Sequence, residues 1–255
     1  MPYRYVIKFT VYEATMIEQM LNPGVLLPED TGDVIFLYDP VTNTDLIGGP
    51  AVSTLSGGAI ADSTILINNQ PTLKFPTTNA KHVITWPTDL NLAIGNWTLE
   101  WSFINDSTPA AYGNDLVMYS RSGGSGVGVY MRFGNTGFGN RYFMSDPRGA
   151  VDQTLTQPLP IANSSLTGVT TNIALVSIQG VIRIYVNGVA QMMALGVSTN
   201  TYDRPSMIAQ GMDKIYSIGL GWAVSAVPAV PGHRGRIRLS NFARYRRSYT
   251  PGPLV

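Results

Sequence analysis

The stretch Thr171 to Met193, TNIALVSIQGVIRIYVNGVAQMM, constrains the fold more than any other part of the chain. Ile173 to Ile178 is rich in β-branched and apolar residues, and Gln179-Gly180 then turns the chain. Val181 to Val186 alternates, with Val181, Arg183 and Tyr185 on one face and Ile182, Ile184 and Val186 on the other. Asn187-Gly188 follows, and a third run begins at Val189. Asn-Gly between two such runs is a strong hairpin signal, because a type I′ turn needs positive φ at both central residues. The stretch predicts a β-meander in an antiparallel sheet. It speaks of fold and says little about chemistry.

The same reading extends along the chain. Asn96 to Ile104 is the longest clean alternation, with Trp97, Leu99, Trp101 and Phe103 on one face and Thr98, Glu100 and Ser102 on the other. Four large apolar side chains on one face predict a central core strand. Further strands are expected at Val34 to Tyr38, Thr64 to Ile67, Thr72 to Phe75, Asp115 to Arg121, Val127 to Phe133, Arg141 to Met144, Lys214 to Leu220 and Arg236 to Phe242. Another at His82 to Trp86 is expected to stop at Pro87. Asp39 to Pro50 reads as a turn-rich loop, Asn68 to Pro71 as a four-residue connection, and Asp146 to Gly168 as a long polar connection. The best helix candidate is Glu13 to Leu21, with Ile17, Met20 and Leu21 on one side and Asn22-Pro23-Gly24 ending it. Residues 1–30 are therefore read as an N-terminal strand/helix arm, and 31–255 as one domain. Regularly spaced short strands point to a sandwich.

Composition narrows the function classes. The net charge of +1 gives no bulk attraction to nucleic acid or membrane. The absence of cysteine removes disulfides, thiolate metal sites and cysteine nucleophiles. The N-terminus lacks the apolar core of a signal peptide, and no window approaches 18 uncharged apolar residues, so synthesis in a cytoplasm without a membrane span is expected. The charges are unevenly spread. Residues 1–62 hold eight acids and two bases, whereas no acid follows Asp213 and six arginines do, from Arg234 to Arg247. Arg236 and Arg238 alternate with Ile237 and Leu239, which makes them either a solvated face or partners for acids, such as those of residues 1–62.

Three segments in order resemble the concanavalin A-like (laminin G-like) jelly-roll family. Leu73 to Phe103 resembles its apolar–Phe pair, its D-L-x-L (Asp89-Leu90-Asn91-Leu92) and its x-T-x-E-x-W, through Thr98, Glu100 and Trp101. The meander is similar to h-A-L-V…G…I-x-x-Y-V-N-G, and Gly235 to Gly252 to the closing strand with its Y-T tail. The resemblance covers roughly residues 33–252. It implies an all-β, antiparallel two-sheet jelly-roll sandwich. Similar domains are common in bacteriophage virion proteins. The resemblance therefore implies a non-enzymatic virion structural protein, a capsid decoration or a head or tail appendage. It would dock through the arm in many copies or as a homo-oligomer, with other virion proteins as partners. The alternative is a carbohydrate-binding, lectin-like module for host-surface glycans.

Catalysis finds little support in the residues. Glycosidases need two carboxylates a few ångström apart, about 5–5.5 Å for retention. Glu100 stands on a suitable strand, but Ser102 occupies i+2 and no second acid follows until Asp106. Glu100 is accordingly read as structural. His82 and His233 are the only histidines and form no zinc motif; His82 reads as an ordinary strand residue. Gly123 to Gly128 lacks the Lys of a P-loop and the order of a nucleophile elbow. No cofactor is assigned. The resemblance leaves Ca²⁺ open, with Asn114-Asp115 and Asn140 to Asp146 as oxygen sources, but calcium takes six to eight oxygens. Sugar binding usually combines an aromatic platform with nearby amides; the aromatic candidates are Tyr130, Phe138, Tyr142 and Trp222, and the glycan-binding set is Asp115, Tyr130, Asn140, Tyr142 and Trp222.

Overall fold

The computed structural model describes residues 33–90, 96–106, 113–120, 129–133, 142–145, 153–157, 167–178, 181–190, 192–195, 199–201, 204–205, 215–220 and 230–254. Between 113 and 157, and between 192 and 217, the description is of backbone alone. The arm of residues 1–30, with its helix at Glu13 to Leu21, lies outside the described residues.

Every regular element among the described residues is a strand. In chain order these are β1 (Val34–Asp39), β2 (Thr44–Asp45), β3 (Val52–Ser56), β4 (Ile60–Ile67), β5 (Gln70–Phe75), β6 (Lys81–Leu90) and β7 (Trp97–Asn105). Then come β8 (Gly113–Ser120), β9 (Val129–Phe133), β10 (Tyr142–Ser145), β11 (Gln153–Gln157), β12 (Thr171–Ile178) and β13 (Val181–Val186). The last are β14 (Val189–Ala190), β15 (Met192–Leu195), β16 (Thr199–Thr201), β17 (Arg204–Pro205), β18 (Ile215–Leu220) and β19 (Gly232–Ser240).

They form two antiparallel sheets. The first runs β14-β13-β12-β7-β19-β1-β2, with β5 beside β19, β4 on β5, and β17 on β13. The second runs β16-β15-β11-β10-β9-β8-β18-β6-β3. The two sheets pack face to face as a jelly-roll sandwich. β7 lies between β12 and β19, in the central position its alternation predicts. Trp97, Leu99, Trp101 and Phe103 are all buried and share one core with Ile84 and Trp86 of β6 and Ile218 of β18. Phe36 of β1 meets Trp86 edge-on across the two sheets, with ring centroids 5.2 Å apart. That core of apolar residues from both sheets is the main driving force for closing the sandwich.

The meander is present, with one refinement. Asn187 (φ 50°) and Gly188 (φ 76°) are both in the left-handed region, as a type I′ turn requires. The third run, however, divides: β14 stays in the first sheet, while β15 joins the second. Asn68 (φ 52°) and Asn69 (φ 62°) form a second tight turn of the same kind, so the connection is two residues long and Gln70-Pro71 already belongs to β5. Asn tolerates positive φ through its short polar side chain, which the four-residue reading overlooked.

Other expectations are corrected. β6 continues past Pro87 to Leu90. Its pairing with β18 shifts register beyond Thr85, and a proline without an N–H is accommodated at such an irregularity. The turn-rich region after Asp39 contains β2, organised by one carboxylate. Asp45 Oδ1 accepts from the Leu37 amide at 3.0 Å and the Ile47 amide at 3.1 Å, and Oδ2 accepts from the Gly49 amide at 3.1 Å. The polar connection after Asp146 contains β11, which pairs with β10 and β15. β19 begins at Gly232, four residues before the expected start, and carries a bulge at Gly235-Arg236.

Candidate functional site

Thr98, Glu100 and Ser102 occupy the face of β7 that its alternation leaves polar, yet all three are buried. The segment from Phe242 to Leu254 covers Thr98 and Glu100, and Ser102 lies against Gly235 of β19. Thr98 Oγ1 donates to the Phe242 carbonyl and accepts from the Arg244 amide, both at 2.9 Å. Tyr249 N donates to the Gly188 carbonyl at 2.8 Å, and the Ala190 amide donates to Ser248 Oγ at 3.2 Å. The Leu254 carbonyl accepts from Arg236 Nη1 and Gln70 Nε2, both at 3.0 Å. Tyr245 and Tyr249 stack with centroids 3.6 Å apart, and both rings pack on Tyr185. Ala174, Val176 and Tyr185 of the sheet form a small apolar cluster with Ala243 of this covering segment.

Glu100 sits at the centre. Its Oε2 accepts from Arg238 Nε at 2.8 Å, with Arg244 Nε 3.6 Å away, and its Oε1 accepts from the Tyr245 hydroxyl at 2.6 Å. Burial works against the charge of Arg238, but the Glu100 carboxylate outweighs it and raises the guanidinium's pKa. Burial, reinforced by the same carboxylate, pushes the Tyr245 phenol above the usual range. Both oxygens of Glu100 are therefore committed to structural partners, which leaves neither for a glycosidic oxygen or a sugar carbon. The structural reading of Glu100 holds.

A narrow cleft of about 10 Å³ lies between the covering segment and the sheet, lined by Glu100, Asn172, Ile173, Tyr245, Tyr249 and Pro251, among others. That is room for about one water, far below the roughly 300–1,000 Å³ of ligand pockets. The cleft is a packing seam. Three asparagines close its rim: Asn68 Nδ2 donates to Asn172 Oδ1 at 2.8 Å, and the Asn172 amide donates to Asn187 Oδ1 at 2.8 Å. Sequence reasoning missed this site. Tyr245 and Tyr249 lie in no alternating pattern, and no local signal ties them to a strand some 145 residues earlier.

The acidic beginning and basic end of the chain do meet. Arg236 Nη2 lies 3.3 Å from Asp39 Oδ2, and His233 Nε2 lies 3.2 Å from Asp62 Oδ2. Arg238 pairs instead with Glu100, so the arginine face of β19 is a set of partners rather than a solvated surface.

A second polar cluster pairs a hydroxyl with an imidazole. Ser53 Oγ lies 2.7 Å from His82 Nε2 and 2.7 Å from Asn43 Oδ1, which also accepts from the Tyr38 hydroxyl at 3.0 Å. Ser53 has one proton, and giving it to Asn43 makes the serine an acceptor from His82 Nε2–H. His82 Nδ1 is buried without a hydrogen-bond partner, and burial pushes the ring's pKa down to about 3. A nucleophilic dyad needs the opposite proton direction and a third group orienting the base. This cluster is a structural network.

Of the glycan candidates, backbone placement puts Asp115 in β8, Tyr130 in β9 and Tyr142 in β10, three neighbouring strands of the second sheet. Asn140 and Trp222 lie outside the described residues, as does Phe138. Among the described residues no group of three or more His, Asp or Glu is placed to hold a metal ion.

No protein-family profile matches the sequence, and no curated protein matches it. Solved structures do match in fold. Domain 4 of AbnA, a GH43 extracellular arabinanase from Geobacillus stearothermophilus solved in complex with arabinotriose, aligns with a TM-score of 0.53 at 14% identity, over 83% of this chain and 94% of that domain. The receptor binding domain of botulinum neurotoxin D aligns with a TM-score of 0.54 at 10% identity, over 82% of this chain and 49% of that one. Trypanosoma rangeli sialidase, solved with the inhibitor DANA, aligns with a TM-score of 0.53 at 12% identity, over 91% of this chain and 37% of the enzyme. The chain thus spans about half of the toxin domain and little more than a third of the sialidase. At these identities the likeness is one of fold: this chain shares the β-sandwich architecture of those domains.

Proposed function

We propose that this chain is a non-catalytic carbohydrate-binding module of lectin-like type. The observation that carries the reading is the near-complete overlap with a separate domain of similar size, AbnA domain 4, whose structure holds arabinotriose. The commitment of both Glu100 oxygens to Arg238 and Tyr245 supports binding over hydrolysis. The covering segment occupies the outer face of the first sheet, which directs attention to the second sheet. Asp115, Tyr130 and Tyr142 stand there, with Asn140 and Trp222 as further candidates. The register refines this set. Tyr142 lies opposite Phe133, and Tyr130 opposite Ser145, three positions along. Positions three apart fall on opposite faces of a strand, so one of the two tyrosines, not both, belongs to any single platform.

A glycan array containing arabinan oligosaccharides, run with and without calcium, tests the reading. Binding to at least one glycan class is expected, weakened about tenfold or more by Tyr130→Ala or by Tyr142→Ala but not by both; the loss of one stacking aromatic is of that size. Silence across a broad array overturns it.

The setting we propose for such a module is the surface of a bacteriophage-like virion, in many copies docked through residues 1–30 onto capsid or tail proteins. The sequence resemblance alone supports this. Deleting residues 1–30 is expected to abolish attachment to particles and leave glycan binding intact; attachment retained by the deletion removes the arm's role.

A further inference from the structure

We infer that Asn187 is an isoaspartate-forming modification site gated by the covering segment 242–254. Asn187-Gly188 is the only Asn-Gly pair in the chain, and glycine offers the least crowded amide for attack on the preceding side chain. Asn187 is exposed, so water reaches its side chain. Water is the only co-reactant needed. The Gly188 nitrogen bonds to Asn187 Cγ, the Cγ–Nδ2 bond breaks, and ammonia leaves with the amide proton, closing a succinimide. Water then opens the ring. Cleavage at Cγ gives aspartate. Cleavage at the former main-chain carbonyl gives isoaspartate, whose backbone runs through Cβ and Cγ and is one methylene longer.

The seated turn resists the first step. Ring closure requires the Gly188 nitrogen and Asn187 Cβ to eclipse one another about the Asn187 Cα–C bond. Asn187 stands at φ 50°. In that left-handed region ψ is about +47°, and the two atoms lie almost opposite each other. Bringing them together takes a large rotation about ψ, and bonds on both sides of the rotating bond oppose it. The Asn187 amide donates to the Asn172 carbonyl and the Asn172 amide donates to Asn187 Oδ1, both at 2.8 Å, so backbone and side chain are held together. On the other side, the Gly188 carbonyl accepts from Tyr249 N at 2.8 Å. Gly188 is buried there, so close to the Tyr249 carbonyl that even a Cβ would collide with it.

The covering segment is therefore the gate. Its grip around the turn is completed by the Ala190 amide, which donates to Ser248 Oγ at 3.2 Å, and by the Tyr249 ring, packed on Tyr185 and Tyr245. When Ser248 and Tyr249 lift, the Gly188 peptide is free to turn, and the reaction proceeds from that opened fraction. The product then keeps the gate from closing. Val186 and Val189 are register partners across a two-residue loop. Isoaspartate lengthens that loop by one backbone carbon, which a type I′ turn does not accommodate. The Gly188 carbonyl is carried away from Tyr249 N, and the segment loses its seat on the meander.

Incubation of the full chain in mildly alkaline buffer, followed by peptide mapping and isoaspartyl methyltransferase labelling, tests this. Asn187 is expected to react about tenfold or more slowly than in the same chain unfolded in guanidinium chloride, because only the opened fraction reacts. Tyr249→Pro has no N–H to offer the Gly188 carbonyl. It is expected to raise the rate severalfold while hydrogen-exchange protection in β7 holds. A folded wild type that reacts as fast as the unfolded chain, or a Tyr249→Pro chain that reacts no faster than the wild type, overturns the gate. Should Tyr249→Pro lose β7 protection, Tyr249→Ala serves instead by removing the stacked ring. It carries the same expectation, and an unchanged rate in it also overturns the proposal. The isoaspartyl form, separated by ion exchange, is expected to exchange faster than the unreacted chain in residues 242–254; equal exchange overturns the effect on the segment.

Discussion

The two faces of β7 are buried by different means. On one, Trp97, Leu99, Trp101 and Phe103 enter the core between the sheets, where any close-packed apolar neighbour serves. On the other, Thr98 and Glu100 lie beneath the covering segment, where the hydroxyl of Thr98 and both oxygens of Glu100 have named partners. An apolar face is buried by bulk. A polar face stays buried only if another part of the chain supplies matching donors and acceptors. Alternation along a strand thus shows which face is apolar; it does not show that the other face meets water.

Substitutions can break this contrast at either face. The largest effect is expected from Trp101→Ala, about 4 kcal/mol of stability lost in denaturant unfolding, because a large buried ring leaves a cavity the core cannot fill. Glu100→Ala should cost about 3 kcal/mol by stranding the buried guanidinium of Arg238. The double change Glu100→Met with Arg238→Met should recover part of that loss, since the ion pair is removed whole, and leave a cost of about 1–2 kcal/mol for the Tyr245 hydroxyl, which loses its acceptor. A cost near zero for Glu100→Ala would mean that the outer face is solvated after all. Gly188→Ala should cost about 2 kcal/mol: Gly188 sits at φ 76°, and an added Cβ would collide with the Tyr249 carbonyl. Its loss should appear as faster exchange in residues 241–254 with little change in the core. Thr98→Val keeps the shape and removes the hydroxyl, and thermal unfolding should register about 1 kcal/mol.

Much of the fold was legible because it is written locally. Trp97 to Phe103 announces a core strand by period two, and Asn187-Gly188 announces a tight turn by the φ values it must adopt. β2, β4 and β11 were harder. Asp39 to Pro50 is full of turn residues, and nothing local shows that Asp45 would gather three amides. β4 carries Asp62, Ser63 and Thr64 in mid-strand, and β11 is a short polar run, QTLTQ, that only pairing on both sides makes into a strand. The site was less legible still. The missing second acid marks Glu100 as structural, but its partners Arg238 and Tyr245 come from distant sequence and obey no spacing rule.

The reach between those partners bears on how the protein is made. Arg238 follows Glu100 by 138 residues and Tyr245 follows it by 145. At roughly 5–20 residues per second, a ribosome takes on the order of ten seconds to cross that interval. Throughout it, β7 has emerged with a carboxylate that lacks its cation, and Ala174, Val176 and Tyr185 emerge later with no cover. The strands of the first sheet can pair as they are made, but its outer face stays uncovered until residues 242–254 follow, so slow synthesis prolongs the exposure of that face.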